Sequence, residues 1–492
     1  MKNGLIIFNF LLLASSCRVS KNFNPEVKYA PEVIQKDYAV FRSVLEAEHP
    51  GLYWYTPKDS MNAFFEEGAR RLHDSLTEIG FRTVLSYVIS KIRCGHTSVF
   101  PSKQWYRAAD SFWRHPFPLS LKIWPDTAVV TGNLNRRDSL VTRGAVLLSI
   151  DGRPMQQIVD SLFQFLPADG YNLTHKYQTL SNRGTFGSVY MAVFGSKPQY
   201  SVLVQDSLGA IHSATVSPFF QRDTARRNLP LPSPATLSRH RQKKLELSIT
   251  RNLHFDSSLQ VATMDLNSFT KDSRLYRFFK SSFKKLRKQH IQHLIIDLRG
   301  NGGGSVTNSN LLTRYISRKR FKIADSLFAV TRTSQYGRLQ QDRLWNRLFL
   351  MTMTRKQRDG RYHFRYYEKK YFRPKRRNHF DGHVYILTGG NTFSASTLFI
   401  QSVVAQDNIT VVGEETGGGA YGNNAWLIPD VRLPYTGVRF RLPLFRLVID
   451  RTAEKGRGVR PKAEAVPTVN AIRRNADYKT EKVLELIRNG VF

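Results

Sequence analysis

The sequence predicts an α/β protein with a helical front, a β-rich middle and a core in which strands and helices alternate. Three observations predict this. Apolar residues recur at three- and four-residue steps over about residues 30 to 100, and the spacing approaches two over about residues 115 to 220. From about residue 247 onwards, short apolar strands alternate with helical stretches. A length of 492 residues exceeds one ordinary domain, so we expect several packed units.

The helical front is predicted from apolar stripes such as Phe81, Leu85, Val88 and Ile92, and we assign residues 17–110 to it. The last stripe ends in Cys94-Gly95-His96-Thr97. A helical bundle of this kind is usually a scaffold for a site elsewhere.

The β-rich middle is assigned to residues 115–220. Its segment Val146–Ile150, followed by Asp151-Gly152, resembles the strand and turn of a PDZ domain. That resemblance implies a domain that binds peptide tails by adding a strand to its sheet. Any small β-rich domain with such a turn would fit the same pattern. Residues 221–245 are rich in Arg, Lys and Pro, which predicts a linker before the core.

Composition restricts the possible partners. The chain carries 74 Lys and Arg against 38 Asp and Glu, a formal net charge of +36, which favours an anionic neighbour. Only two cysteines are present, Cys17 and Cys94, so a disulfide framework and a Cys-based zinc site are excluded.

The N-terminus predicts export. A short basic start is followed by the apolar run Leu5–Leu13 and by Ala14-Ser15-Ser16-Cys17, which resembles a bacterial lipobox. We therefore expect a signal peptide over residues 1–16, lipid attachment at Cys17 and a periplasmic or outer-membrane location in the cell envelope. The alternative is an ordinary secretory signal with an incidental cysteine.

The segment Leu294–Ser305 predicts a buried strand that runs into three consecutive glycines and then into a helix. Glycine turns expose backbone N–H groups and can hold an anion. A phosphate loop is disfavoured because no Gly-Lys-Ser/Thr follows, and the dinucleotide-binding spacing is absent. An oxyanion hole uses the same physics.

A second strand, turn and helix lie at Tyr385–Ser396, with Ser394 at the start of the helix. A serine at this position is usually a plain N-cap. It can also be a nucleophile, because the free N–H groups of a helix start stabilise developing negative charge.

Together the motifs resemble those of the S41 family of serine peptidases, the tail-specific or C-terminal processing proteases. The resemblance rests on four ordered motifs, namely Asp297–Gly304, Ser394-Ala395-Ser396, Val412–Gly418 and Gly458–Pro461. It implies a crotonase-like (ββα) peptidase core, which we assign to residues 246–475, followed by a C-terminal helix over residues 476–492.

The resemblance also implies roles for individual residues. Ser394 matches the nucleophile, and Gly302 and the N–H of Ala395 match the oxyanion hole. The lysine of the best-known branch would fall on Gly419, so a Ser–Lys dyad at that position is excluded. His96 matches the base of the other branch, which includes the tricorn core proteases, although Gly95 replaces the serine that precedes that histidine.

An acidic residue that orients the base is less well defined by the sequence. Glu454, in the region ahead of Gly458-Val459, is the candidate that the resemblance implies, although the local match is poor. Glu414 and Glu415 are nearer the motif and could serve or could merely solvate a turn. A Cys94–His96 pair is a further alternative, but no second oxyanion element accompanies it.

Residues 355–377 form an insertion in which Arg and Lys alternate with four tyrosines. With an export signal, an anionic lipid or polysaccharide surface is a better partner than nucleic acid, which we do not expect. A solvated mobile loop beside the site is the alternative.

We therefore expect an exported serine endopeptidase that acts on peptide or protein substrates and needs neither a metal nor a cofactor. The PDZ-like domain would hold the substrate. The alternative is a catalytically inactive protein of the same fold that binds peptides or hydrophobic ligands.

Overall fold

The computed structural model describes residues 23–112, 116–135, 138–218 and 238–490. The predicted signal peptide, Cys17 and most of the predicted linker lie outside the described residues.

The front of the chain contains four helices and three short strands. They are β1 (Lys28–Tyr29), α1 (Pro31–Glu48), α2 (Lys58–Arg70), β2 (Leu76–Thr77), α3 (Glu78–Ile92), β3 (Val99–Phe100) and α4 (Lys103–Phe112). Helix α3 carries the predicted apolar stripe, which is fully buried. Thr77 caps this helix by accepting a hydrogen bond from the N–H of Gly80, and Arg93 ends it in the left-handed conformation with φ of 57°.

The middle of the chain is a β-rich unit with three helices. Its elements are β4 (Leu119–Trp124), β5 (Thr127–Asn133), β6 (Val146–Ile150), β7 (Arg153–Pro154), α5 (Met155–Phe163), α6 (Leu173–Ser181), α7 (Thr185–Phe194), β8 (Tyr200–Gln205) and β9 (Ile211–Val216). The strands pair antiparallel in the order β4-β5-β6-β8-β9, and they enclose a core of their own. The resemblance to a PDZ domain stays a prediction.

The rest of the chain begins with helix α8 (Arg239–Thr250), so residues 239–245 of the predicted linker are helical. The elements that follow are β10 (Arg251–Asp256), β11 (Val261–Leu266), α9 (Leu275–Lys288), β12 (His293–Asp297), α10 (Val306–Ile316), β13 (Ser326–Ala329), α11 (Arg343–Met353), β14 (Arg355–Lys356), β15 (Tyr362–His363), α12 (Arg365–Lys369), β16 (His383–Thr388), α13 (Ala395–Gln401), β17 (Ile409–Gly413), β18 (Gly422–Ala425), β19 (Asp430–Arg432), β20 (Arg439–Arg441), β21 (Phe445–Val448), β22 (Ala463–Glu464), α14 (Val469–Arg474) and α15 (Tyr478–Arg488).

The main sheet of this region has the strand order β10-β11-β12-β16-β17-β22, and all its pairs are parallel except β10 with β11. Its central strands β16 and β17 are almost entirely buried, as expected for a parallel sheet covered on both faces. Neighbouring parallel strands end at the same edge, so the turns that follow β12 and β16 lie side by side. The predicted α/β fold class is confirmed.

A second sheet, ordered β14-β15-β13-β21-β18, contains part of the 355–377 insertion. The alternative of a mobile loop is therefore wrong for residues 355–369. Strand β15 pairs with β13, and helix α12 follows it. Phe364 of this segment is buried against the same core as the front helices.

The front helices share one hydrophobic core with the second sheet. Asp37 of α1 is fully buried, and its carboxylate accepts hydrogen bonds from the N–H groups of Tyr435 and Thr436 at 3.1 and 2.7 Å and from the Thr436 hydroxyl at 2.7 Å. The front is therefore packed against the region that follows the β-rich middle, and it carries the loop that contains His96.

Two further findings concern the described residues as a whole. No helix among them is long and apolar enough to cross a bilayer. No group of three or more His, Cys, Asp or Glu within the described ranges could hold a metal ion.

We expect Asp37→Ala to lower the free energy of unfolding by roughly 2–4 kcal/mol, because three donors lose a buried charged acceptor. Thermal and urea unfolding of the purified protein measure this. Glu32→Ala is the matched control, since Glu32 is exposed on the same helix. Equal effects of the two substitutions would contradict the account of a shared core.

Candidate active site

The turns after β12 and β16 are joined by hydrogen bonds. The N–H of Leu298 donates to the carbonyl of Leu387 at 3.1 Å, and the N–H of Phe393 donates to the carbonyl of Asn301 at 3.1 Å. The Thr392 hydroxyl donates to the carbonyl of Leu298 at 2.8 Å. The two motifs found in the sequence therefore form one structural unit at the carboxyl edge of the sheet.

Ser394 lies where the second turn enters helix α13, in an unusual backbone conformation with φ of 56° and ψ of −120°. Positive φ is strained for a residue with a Cβ and is typical of side chains held out at the tip of a strand-to-helix turn. Among the described residues, the Ser394 side chain accepts no hydrogen bond from the N–H groups in the first turn of α13. Ser394 is therefore not a plain N-cap of this helix. Of the two roles that the sequence allows for Ser394, N-cap or nucleophile, this conformation favours the nucleophile.

Gly303 explains why the first turn needs glycine. Its φ is 102°, and a Cβ there would lie 2.7 Å from the Ser394 Cβ and 2.9 Å from the Ala395 nitrogen. The glycine backbone therefore packs directly against the turn that holds the serine.

The predicted oxyanion donors lie next to the contact between Gly303 and Ser394. Ala395 is the first residue of α13, so its N–H has no intrahelical acceptor. Gly302 is exposed, and a Cβ there would meet no atom within 4 Å. The N–H of Gly303 donates to the Asn301 side chain at 2.9 Å, so this N–H is not free to stabilise an oxyanion. Gly304, unlike Gly302, lines the same cavity as Ser394 and Ala395.

A third loop lies against Ser394. The N–H of Gly418 donates to the carbonyl of Thr392 at 3.1 Å. At Gly419, where the Ser–Lys branch has its lysine, a Cβ would lie 2.5 Å from the carbonyl oxygen of Gly422. A lysine at this position would not fit the present backbone, which agrees with its absence from the sequence.

His96 is buried close to the serine turn. Its ring lies 4.7 Å from the ring of Phe393, measured between centroids, so it contacts the residue directly before Ser394. Within the described parts of the chain neither ring nitrogen has a hydrogen-bond partner, and no hydrogen bond joins His96 to Ser394. The structure brings the predicted base to the site but does not connect it to the hydroxyl.

The carboxylate next to His96 belongs to Asp169, which sequence reasoning missed. Its Oδ1 lies 3.9 Å from Nδ1 of His96 and accepts a hydrogen bond from the N–H of Gly95 at 2.8 Å. Its Oδ2 accepts the N–H of Gly419 at 3.2 Å. Asp169 therefore connects, through hydrogen bonds, the loop that contains His96 with the loop of Gly418 and Gly419 that lies against Ser394. It lies in an unremarkable Ala-Asp-Gly turn between α5 and α6, where no sequence pattern marks it.

Burial controls the protonation of this pair. Asp169 is fully buried, and the cost of desolvating the carboxylate raises its pKa to about 7. Burial, together with the nearby His175 and Arg441, lowers the pKa of His96 to about 3. The imidazole is therefore neutral at physiological pH, which is the state that a general base requires.

His175 is a second histidine at this site. Its ring stacks on Phe393 at 4.8 Å between centroids, and its Nδ1 lies 2.7 Å from the carbonyl oxygen of Gly390. His175 is therefore in contact with the serine turn through this hydrogen bond and through the ring of Phe393.

The three glutamates named as possible acidic partners lie elsewhere. Glu454 is more than half exposed, and its carboxylate pairs with Arg460 at 2.8 Å. Glu414 pairs with the buried Lys479 at 2.6 Å. Glu415 accepts the N–H of Gly458 at 2.6 Å, so it fastens the last motif to the third. Among the described contacts, none links these carboxylates to His96.

Cys94 does not fit the alternative of a cysteine nucleophile. Its thiol is fully buried, and burial raises its pKa to about 11. It receives a hydrogen bond from the Thr97 hydroxyl at 3.2 Å, and Thr97 in turn lies 2.9 Å from Nε2 of His49. These groups support the His96 loop.

A cavity of about 380 Å³ opens beside Ser394. Most of its lining side chains are apolar, and none is charged. Two wall residues, Trp426 and Leu427, have φ of 64° and 37°, which is a strained backbone of the kind that clusters at functional sites. The serine turn therefore borders a space suited to an apolar side chain.

Residues 260–464 match the model of Peptidase family S41. This part of the chain is a peptidase family S41 domain. The predicted family and the predicted enzyme class, a serine-type peptidase, are confirmed at this level. The assignment to the histidine-using branch stays a prediction.

Solved structures with the same overall fold include mature CPAF complexed with lactacystin, which has a TM-score of 0.64 and 15% sequence identity, with 94% of this chain and 99% of that chain covered. Mature CPAF alone has a TM-score of 0.63 and 15% identity, with 93% and 98% covered. No curated protein matches this sequence. At this identity the likeness concerns the fold, including its front and middle regions.

Proposed function

We propose that this S41 domain is an exported serine endopeptidase in which Ser394 is the nucleophile and His96 the general base. The observation that carries the proposal is the strained turn at Ser394, which lies between a glycine turn, a helix start and an uncharged cavity. Ser394 lines this cavity together with Ala395 and Gly304, whose backbone N–H groups are candidates for the oxyanion hole.

In the proposed reaction, Ser394 Oγ attacks the scissile carbonyl carbon while its proton passes to Nε2 of His96. The carbonyl oxygen becomes an anion, which the N–H of Ala395 and one N–H of the 302–304 turn stabilise. The intermediate collapses when His96 returns the proton to the leaving amine, which leaves an acyl-serine. Water then attacks the ester by the same route and frees the serine.

This mechanism requires His96 to approach Ser394 when substrate binds, because the two are not hydrogen-bonded in the structure. Catalytic hydrogen bonds are often long or absent before substrate binds. The uncharged cavity excludes water from the reacting groups once a side chain fills it.

We further propose Asp169, in place of Glu454, as the carboxylate that orients His96. It is the acidic group next to Nδ1, and its hydrogen bonds to Gly95 and Gly419 fix its position relative to both loops. When ionised, it would accept a hydrogen bond from Nδ1–H and stabilise the imidazolium that forms during attack.

The second candidate function is a binding protein that has kept the fold and lost catalysis. The observation in its favour is the unpartnered ring of His96. Such a protein would use the cavity beside Ser394 for a peptide or hydrophobic ligand without covalent chemistry.

A fluorophosphonate probe distinguishes the two candidates. We expect it to label the purified protein covalently, and we expect Ser394→Ala to abolish the label and His96→Ala to slow it. Ser402→Ala, just past the other end of α13, is the matched control and should label normally. Lactacystin, which is bound to CPAF in the structure named above, is a second probe. An unlabelled but folded protein would support the binding function.

The pH dependence of kcat/KM tests Asp169. Above about pH 7 its carboxylate is ionised and can support the imidazolium, and below that pH it is protonated and cannot. We therefore expect activity to fall as the pH drops below about 7. The groups that face the pair are Tyr55 and Cys94 near Asp169, and His175 and Arg441 near His96.

Asp169→Asn should remove this acidic limb and lower kcat by on the order of 100- to 10 000-fold. Asp169→Glu keeps the carboxylate and is the control for the charge. Both variants must first melt like the wild type, because Asp169 also holds two loops. An unchanged limb in an active Asp169→Asn protein would remove Asp169 from the mechanism.

The oxyanion donor on the glycine turn is tested at Gly302. Gly302→Pro removes the N–H and, if Gly302 is the donor, should cost on the order of 100- to 1000-fold in kcat with little change in substrate binding. Gly302→Ala keeps the N–H and points its methyl group into open space, so it should remain active. If a well-folded Gly302→Pro protein has wild-type kcat, Gly302 is not the donor, and the N–H of Gly304 is the remaining one on the cavity wall.

We also propose that the mature protein is anchored in the cell envelope through a lipid on Cys17. The support is the basic start, the apolar run and the small residues before Cys17 in the sequence. Cys17→Ser should leave the protein unprocessed or release it from the membrane fraction, as measured by fractionation and by the mass of the N-terminal peptide. Normal processing and membrane association in this variant would refute the anchor.

A further inference from the structure

The wall of the Ser394 cavity includes a residue from the basic insertion. Tyr367 of helix α12 lines the cavity, and its ring contacts the ring of Trp426 at 4.7 Å between centroids. The remaining apolar walls include Leu398, Leu427 and Leu447. The insertion therefore helps to form the place where a substrate side chain would sit.

A second concavity, of about 460 Å³, is lined in part by other residues of the same helix. Its rim carries four cations and two aromatic or imidazole rings. Its lining residues are Met353, Arg355, His363, Arg365, Tyr366, Lys369 and Lys370. Tyr366 lines this second concavity and Tyr367 lines the first, and their ring centroids are 5.0 Å apart, so the two concavities adjoin at α12.

The positive charge of this second concavity is not neutralised from within. The two acidic residues of the insertion are both directed at His363, Glu368 at 2.6 Å and Asp359 at 3.0 Å. Among the described residues, no carboxylate lies within ion-pairing distance of Arg365 or Lys369, and both are exposed. The concavity therefore offers cations to an external anion.

We propose that the substrate is a polypeptide that places an apolar residue in the Ser394 cavity and an acidic segment in the concavity lined by Arg365, Lys369 and Lys370. This inference rests on the proposed peptidase function, whose substrate class it names. Arg and Lys at the rim of a groove bind carboxylates, and the aromatic rings supply stacking surface for the chain between them.

We take the width of helix α12 as the spacing between the two parts of the substrate, because residues of this helix line both concavities. A helix with its side chains is about 10 Å across, and an extended chain advances about 3.3 Å per residue. The acidic residues would therefore lie about three or four positions from the apolar residue. A preference for acidic residues at this spacing is a specific consequence of the geometry.

A peptide fits these features better than a lipid surface does. The cations line a depression that adjoins the Ser394 cavity through the contact of Tyr366 with Tyr367, so one extended chain can occupy both. The apolar cavity is next to the nucleophile, which a membrane would not need. The experiment below therefore also measures binding of the basic concavity to anionic lipid.

The experiment compares fluorescent peptides that differ at two positions only. Each carries one Leu or Phe, with Glu-Glu, Gln-Gln or Lys-Lys placed three to four residues to either side. Binding is measured by anisotropy on Ser394→Ala, so that it does not depend on catalysis, and cleavage is measured on the wild type. Vesicles with and without anionic lipid are tested in parallel.

We expect the Glu-Glu peptide to bind about tenfold more tightly than the Gln-Gln peptide at low salt, on one side of the apolar residue, and the difference to shrink as salt is added. The triple variant Arg365→Ala, Lys369→Ala, Lys370→Ala should lose the difference and raise KM with little change in kcat. The control Lys280→Ala, Lys284→Ala, Lys288→Ala changes the net charge equally on exposed positions of α9 and should keep the preference.

Equal binding of the Glu-Glu and Gln-Gln peptides overturns the proposal, and so does an equal loss in both triple variants. A triple variant that loses only vesicle binding would assign the concavity to lipid instead. If the protein binds acidic peptides selectively but cleaves no peptide, the acidic-segment site is supported and the proposed peptidase function is refuted. If it cleaves peptides without a preference for acidic residues, the peptidase function is supported and the acidic-segment site is refuted.

Discussion

The parallel pairing of β12 with β16 is the constraint on which the site depends. In this register Asp297 lies opposite Leu387, so both strands end at one level and their turns meet. Hydrogen bonds from Leu298, Thr392 and Phe393 then join the turns, and glycine at 303 lets the backbones touch. The turn that carries Ser394, the proposed nucleophile, is thus held against the glycine turn of the next strand without any long side chain, which would be a rigid way to prepare the proposed oxyanion site.

The proposed base comes from a distant part of the chain. His96 follows α3, whose burial is shared with the second sheet, and Asp169 comes from the β-rich middle. Three regions therefore meet within a few residues of Ser394. Because both groups are buried, their neutral forms are favoured: the pKa of Asp169 rises to about 7, so this carboxyl titrates near neutral pH, while the lowered pKa of His96 keeps its ring neutral there.

The sequence predicted the strand over residues 293–297 and the serine turn because local signals determine both: an apolar run, glycines and a helix start. It predicted His96 through family resemblance. It could not find Asp169, since a carboxylate in a short turn carries no periodicity and its partners are 74 and 250 residues away. For the same reason the sequence showed only the charge and the aromatic content of the 355–377 insertion. In the structure, pairing with β13 and burial of Phe364 make residues 355–369 a folded segment, and Tyr367 of this segment lines the cavity.

A crystal structure of the protein with a peptide boronic acid bound tests the central claim most directly. The account predicts a covalent bond from Ser394 Oγ to boron, with Nε2 of His96 within about 3.2 Å of the adduct and Nδ1 turned towards Asp169. One boronate oxygen should accept hydrogen bonds from Ala395 and from the 302–304 turn. A covalent adduct that leaves His96 packed on Phe393, with both ring nitrogens still unpartnered, would contradict the account.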